Sequence, residues 1–323
     1  MEQNVNRRRF LGAAIGTGAA AAIAPDALAH GRHGKHKHHG RHGHKSGARS
    51  VPKNRRGIQL YTMREKMTNQ DEARQVLRFL GRSGYTEVET AGHYGWTAAQ
   101  FRSELQRAGL RAISGHDGPD STFPANWETT YAETLTYAKA LGQKFTGWAW
   151  FPGPYNDVAL WHDLAKKFNR AGELAQDHGL QFFYHNHDFE FLNKQADGSP
   201  VYDILLEECD RDLVKFELDL FWITEGGANG VEYLSADPTR FMGYHVKDHV
   251  WGDRRKADGS DEADFEDAGP GMLDFPDLFD AGDRGDKHFF IEHDSPWLSH
   301  PNDPEAEFKT ARTGIQYLEN VRW

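Results

Sequence analysis

Beyond Pro52 the chain settles into a repeating pattern, in which a short apolar run is followed by a longer stretch whose apolar residues recur every three to four positions. The short runs, at 57–61, 85–89, 111–116, 144–150, 180–186, 213–219, 242–247 and 288–292, have the length and aromatic or β-branched content of strands. The stretches between them, such as DEARQVLRFLGRSG and DVALWHDLAKKFNRAGELAQDHG, have the period of helices. Gly84, Gly109, Gly142 and Gly179 close several of these helices where a left-handed cap is wanted before the next strand. Strand and helix alternate eight times, which predicts an α/β protein built as a single (β/α)8 barrel over residues 53–323.

Within a strand, side chains two apart share a face. If His185 points to the barrel axis, Phe182 and Tyr184 point out towards the helices. Inward Asp219, His245 and Glu292 likewise leave Phe216, Leu218, Leu220, Tyr244, Val246, Phe289 and Ile291 outward. Four strands thus each deliver one good metal ligand near the C-terminal end, where a barrel of this kind carries its chemistry. The earlier strands show inward polar rows of the same kind. Glu89 shares a face with Glu87, His116 with Ser114, and Trp148 and Trp150 with Thr146. With Trp222 these residues predict a polar, aromatic mouth suited to a sugar, whose C–H faces stack on rings while its hydroxyls need partners. Core packing is the competing reading for Trp148 and Trp150, and a structural pairing is the competing reading for Glu89 and His116.

Composition narrows the function. The formal charge is -10, and no Lys/Arg-rich stripe marks a nucleic-acid surface. Cys209 is the only cysteine, so neither an intrachain disulfide nor a thiolate metal site can form. At the N-terminus, Arg7, Arg8, Arg9, Phe10 and Leu11 precede LGAAIGTGAAAAIA and the small-residue site Ala27-Leu28-Ala29. This resembles a twin-arginine export signal spanning residues 1–29 and predicts a periplasmic or extracellular protein. The apolar run is shorter than the roughly 20 residues a membrane span needs, so no stable insertion is expected after cleavage. Residues 30–52 begin with HGRHGKHKHHGRHGHK, seven histidines without an apolar neighbour. The tract reads as a disordered linker or as an accessory metal-holding segment. A long connection at 251–271 carries Asp261, Glu262, Asp264, Glu266 and Asp267 and is expected to shape the rim.

The strings YHNHDFEF, ELDLFW, HVKD and IEHD, with the opening GIQLYTMRE, resemble the xylose isomerase-like TIM barrels of sugar isomerases and epimerases, from residue 57 to the C-terminus. The resemblance implies one divalent metal ion, Mn, Co, Zn or Mg, held by His185, Asp219, His245 and Glu292. It also implies that Glu292 is the base. At the first ligand position the epimerases of this family place a glutamate that moves a proton, whereas this chain has His185. Histidine preserves metal binding but removes one carboxylate from a two-base shuttle. His187 and Lys247, each two beyond a ligand, face the mouth and are candidates for a second acid or base, or for a supporting hydrogen bond and an ion pair respectively.

The leading expectation is an isomerase or epimerase that takes a proton next to a metal-polarised carbonyl of a small carbohydrate, through an enediolate. The second is a lyase that cleaves 3-keto glycosides by elimination, which needs a single strong base. The third is a non-catalytic exported metal- or sugar-binding protein. Apurinic-site endonucleases of the same fold use a larger metal cluster and a basic groove, so nucleic acid is not expected as a partner. The pattern does not specify an oligomeric state.

Overall fold

The computed structural model describes residues 49–250 and 265–323. Residues 1–29, read above as an export signal, most of the His-rich tract, and Asp261, Glu262 and Asp264 lie outside the described residues. Eight parallel strands form one sheet: β1 (Arg56–Gln59), β2 (Glu87–Thr90), β3 (Arg111–Gly115), β4 (Phe145–Trp148), β5 (Gln181–His185), β6 (Val214–Asp219), β7 (Phe241–Val246) and β8 (His288–Ile291). Their order is β3-β2-β1-β8-β7-β6-β5-β4, that of a barrel opened between β3 and β4. At that seam there is no ladder, but Lys144 N–H donates to Ile113 O at 2.9 Å. All eight strands fall inside or within one residue of the runs expected from sequence.

The differences at the strand ends have local causes. The first strand stops at Gln59 because its side chain accepts from Tyr61 N–H and turns the chain into the 3-10 segment Leu60–Lys66. Tyr85 stays out of β2 because its N–H still bonds Leu80 O at the preceding helix end, while its hydroxyl donates to Ala311 O.

The helices obey the expected rules. Helix α1 (Gln70–Ser83) starts at Asn69, which accepts from Asp71 and Glu72 N–H, buries Ala73, Val76, Leu77 and Leu80, and ends at Gly84 with φ 113°. Helix α2 (Ala98–Ala108) carries a reciprocal cap between Thr97 and Gln100. Helix α4 (Val158–Asp177) packs on β5 and β6, and helix α3 (Trp127–Leu141) packs against α2 and α4 with its Tyr131 hydroxyl 3.4 Å from Thr146 Oγ1 of β4. Phe182, Tyr184, Phe216, Leu218, Tyr244, Val246, Phe289 and Ile291 are all buried on the helix-facing side, each contributing about 1.5–3 kcal/mol by leaving water.

The inside of the barrel has a second, smaller apolar cluster of Ile113, Phe183, Met242 and Phe290. It needs glycine beside it. A Cβ on Gly147 would come within 2.0 Å of the Phe183 ring, and one on Gly57 within 2.4 Å of the Phe290 ring. This plug separates inward polar residues at the N-terminal end, Glu87, Arg111, Lys215 and His288, from those at the C-terminal end. Among the described residues no helix is long and apolar enough to cross a membrane.

Candidate active site at the C-terminal end of the barrel

The ends of β6, β7 and β8 bring Asp219, His245 and Glu292 together. His245 Nδ1 lies 3.2 Å from Glu292 Oε2 and 3.6 Å from Asp219 Oδ2. Asp219 is aimed by the backbone just beyond it: its Oδ1 accepts from Phe221 and Trp222 N–H, both at 2.9 Å, and so caps the short helix Leu220–Glu225. Its Oδ2 is buried without a hydrogen-bond partner and is left to the site. Lys247 Nζ sits over this group, 3.1 Å from Asp219 Oδ2, 2.5 Å from Glu292 Oε2 and 2.6 Å from Asp294 Oδ2.

A second layer lies below. His185 Nδ1 is 3.2 Å, His245 Nε2 3.0 Å and His116 Nε2 3.4 Å from the same atom, Glu217 Oε2. Glu89 Oε1 is 2.8 Å from His245 Nε2 and 2.9 Å from His116 Nε2, and it accepts from Gln59 Nε2 at 2.7 Å. Donor atoms of His116, His185, Glu217 and His245, and those of Asp219, His245 and Glu292, form two sets within 4.8 Å of one another that share His245. His185, expected with the upper set, reaches it through Nε2, 3.9 Å from Asp219 Oδ2. The upper carboxylates and imidazole are oxygen and nitrogen donors suited to a divalent ion. Asp219 Oδ2, which has no hydrogen-bond partner but has the Lys247 ammonium as a counter-charge, fits that use.

Glu217 and Asp294 are absent from the sequence-based set of site residues. The alternation that turns Asp219 inward turns Glu217 inward too, and the signal stands in the string VKFELD. A search confined to the last residue of each strand passes over it. Asp294 lies beyond the end of β8, where alternation no longer applies, and only its 2.6 Å contact with Lys247 reveals it.

Burial and neighbouring charge divide the histidines into two kinds. Burial, with the positive charge of His245 and His116 nearby, pushes His185 well below the ordinary imidazole range, so it is neutral with a lone pair to offer. Burial also lowers His187, to about 4. For His116 burial acts downward, but Glu89 and Glu217 override it and raise the group to about 10. Burial likewise works to raise Glu292, yet the Lys247 ammonium and His245 hold its carboxyl well below the usual range. Glu292 is therefore ionised, the form in which it can accept a proton.

At the mouth, the His187 ring stacks on Phe189 (centroids 5.4 Å, 8°) and stands 5.4 Å from Trp222. His187 Nδ1 and Trp222 Nε1 are both buried without a hydrogen-bond partner. The Glu190 carboxylate holds the His187 backbone N–H at 2.9 and 3.0 Å and accepts from the Tyr184 hydroxyl. Lys247 Nζ lies 5.2 Å from the Trp222 ring centroid and 5.5 Å from that of Phe265.

Two expectations for the mouth are corrected. Trp148 does not face it: Gly147 is the inward residue under Phe183, so alternation sends Trp148 outward among Phe123, Phe151, Phe168 and Tyr184. Glu89 faces the axis as expected, but it is completely buried and engaged by Gln59, Ser114, His116 and His245 rather than open to a substrate. Trp150 is 50% exposed on the segment after β4.

The family model described as "Xylose isomerase-like TIM barrel" matches residues 77–320. An inosose dehydratase of Clostridium botulinum is 30% identical over 99 residues, 30% of this chain and 32% of that protein. One from Clostridium beijerinckii is 27% identical over 145 residues, 42% of this chain and 47% of that protein. The chain thus aligns with a third to a half of the length of these curated relatives. A sugar phosphate isomerase/epimerase from Parabacteroides distasonis superposes with a TM-score of 0.64 at 22% identity, covering 86% of this chain and 98% of that one, a likeness of fold.

Proposed function

The chain belongs to the xylose isomerase-like TIM barrel family, and from that premise we propose that it abstracts a proton next to the carbonyl of a small carbohydrate-like substrate, isomerising or epimerising it. The observation that carries this reading is the convergence of Asp219, His245 and Glu292 under Lys247 at the open end of the barrel. Asp219, His245, Glu292 and His185 would hold one divalent ion, which when bound supplies Lewis-acid polarisation of the substrate's oxygens.

The chain's own residues do the rest. Glu292, ionised by Lys247, accepts the carbon-bound proton. Lys247 lies beside the carboxylates and favours the negative charge that develops on the substrate. His187 Nδ1 and Trp222 Nε1 offer polar partners for substrate hydroxyls, and the Trp222 ring offers a stacking face. Return of the proton to a carbon gives isomerisation or epimerisation.

A second reading, elimination of water or of a glycosidic leaving group, draws on the two dehydratase relatives and on His185, which leaves Glu292 as the principal base. The two readings share the first proton transfer and differ in the fate of the deprotonated substrate, which is either reprotonated on carbon or expels a leaving group. Incubation with ketoses, inososes and 3-keto glycosides in heavy water, with NMR and mass spectrometry of the products, tests both. Deuterium incorporation with conserved carbon skeleton supports isomerisation, and loss of water or aglycone supports elimination. If no substrate of these classes exchanges a proton in the presence of divalent metal, both readings fail and a binding role is left.

A further inference from the structure

We propose that Glu217 is a positioning residue, a single buried carboxylate that fixes the ring orientation of His185 and His245 so that their opposite nitrogens are presented to the ion site. This rests on the metal-site reading above. Three imidazoles, one from the residue after β3 and the others from β5 and β7, meet at Glu217 Oε2. Two of them are candidate ligands, and each is used the same way. His185 turns Nδ1 to Glu217 at 3.2 Å and Nε2 towards Asp219 at 3.9 Å. His245 turns Nε2 to Glu217 at 3.0 Å and Nδ1 towards Glu292 at 3.2 Å.

An imidazole that ligates an ion is neutral, whatever its charge in the metal-free protein, with one N–H and one lone pair, so a carboxylate that takes the N–H on one side sets the lone pair on the other. Glu217 does this for two ligands at once. Glu89, itself anchored by Gln59 and Ser114, adds a second acceptor for His245 at 2.8 Å.

The lower set of donors could in principle be an ion site of its own, and the occupancy of its donor atoms decides against it. The upper set has two carboxylates, one of them with a buried oxygen lacking a hydrogen bond. The lower set has one carboxylate, and the ring nitrogens of three histidines already crowd one of its oxygens. An ion below would also have to take the ring nitrogens that face Glu217, leaving the upper site with the wrong faces of both rings.

The test is a Co2+ titration of the full chain, monitored by visible absorption, comparing wild type with Asp219→Ala, Glu217→Gln and Glu89→Gln. The His-rich tract contributes equally to all four, so the difference from Asp219→Ala isolates the barrel site. Glu217→Gln is expected to fold and to bind Co2+ about 10–100-fold more weakly, with an altered ligand-field spectrum. Its effect should shrink in a His185→Asn background, because a positioning residue acts through its partner. A purely structural role would lower the melting temperature without changing affinity per folded molecule. Should Glu217→Gln fail to fold, Glu89→Gln, which among the candidate ligands touches His245 alone, should show the weaker binding.

Wild-type affinity and spectrum in a folded Glu217→Gln protein would overturn the proposal. So would two barrel-bound ions in the wild type that both depend on Glu217. If wild type and Asp219→Ala titrate identically, the metal-site reading itself has failed.

Discussion

The two ends of the barrel carry similar side chains and treat them differently. At the N-terminal end, Glu87 has both oxygens occupied, Oε1 by Arg111 Nη2 at 2.7 Å and Oε2 by His288 Nδ1 at 2.6 Å. Nearby, a cavity of about 300 Å3 is lined by Arg55, Lys144, Lys215, Asp286 and His288 over Phe145 and Phe241. At the C-terminal end, Glu217 Oε1, Asp219 Oδ2, His187 Nδ1 and Trp222 Nε1 are buried without hydrogen-bond partners. Each such atom costs about 1–3 kcal/mol, except Asp219 Oδ2, which the Lys247 ammonium offsets from 3.1 Å. The fold tolerates that cost at the end where a ligand can satisfy it and closes the hydrogen bonds of Glu87 at the other, where the unpartnered Arg56 Nε and Arg240 Nε belong to guanidiniums engaged through their other nitrogens. Carboxylate–histidine contacts alone do not mark function, since Glu87–His288 is as close as any at the site. What marks it is the set of polar atoms left open.

The sharpest way to break this contrast is at Glu292. Glu292→Gln keeps the shape and an oxygen ligand but loses basicity, and turnover should fall about 10²–10⁴-fold. Single-turnover measurement at saturating metal checks this, and an unchanged rate of proton exchange would move the base elsewhere. The matching change at the other end is Glu87→Ala, which takes the carboxylate from Arg111 and His288. It should destabilise the protein by about 1–3 kcal/mol in denaturant unfolding, because His288 loses its partner while the half-exposed Arg111 keeps water and Asn54 O, with activity per folded molecule and metal content unchanged. Loss of activity there beyond the loss of folded protein would mean that the apolar plug does not insulate the two ends.

Smaller effects sharpen the picture of the mouth. Trp222→Phe removes the Nε1–H and keeps a ring, so KM should rise several-fold for about 1 kcal/mol of lost hydrogen bonding, with kcat nearly constant. A fall in kcat alone would place Trp222 in the chemistry instead.

A pH-dependent effect, on stability rather than on turnover, concerns Glu190, which burial raises to about 8. A carboxyl whose folded pKa is raised binds its proton more tightly folded than unfolded. Its contribution to stability is therefore full below about pH 4.5 and is lost as pH rises towards 8. Glu190→Gln should remove that slope, so that melting temperatures of variant and wild type diverge in the variant's favour as pH rises from about 4.5 to 8 and run parallel above it. Parallel curves from pH 5 to 9 would show that Glu190 ionises normally.

Much of this was legible in the residues themselves. The eight strands and the inward placement of His185, Asp219, His245 and Glu292 follow from alternation along each strand, a local property written into the order of residues. Alternation fails where both faces of a strand carry plausible candidates. On β4 it pairs Thr146 with Trp148 correctly but cannot say which face is inside. That depends on Phe183 of the neighbouring strand, whose ring leaves room only for a glycine at 147.

The order of residues thus determined which side chains the barrel would aim at its axis, because a strand's period is independent of what surrounds it. Only the tertiary structure decided that three histidines, on or just past β3, β5 and β7, would share one oxygen of Glu217, and that Asp294 would join Lys247. Those contacts link residues as many as 101 positions apart, or lie past a strand's end. Which nitrogen of a ring meets which carboxylate is set by distances that exist only once the barrel has closed.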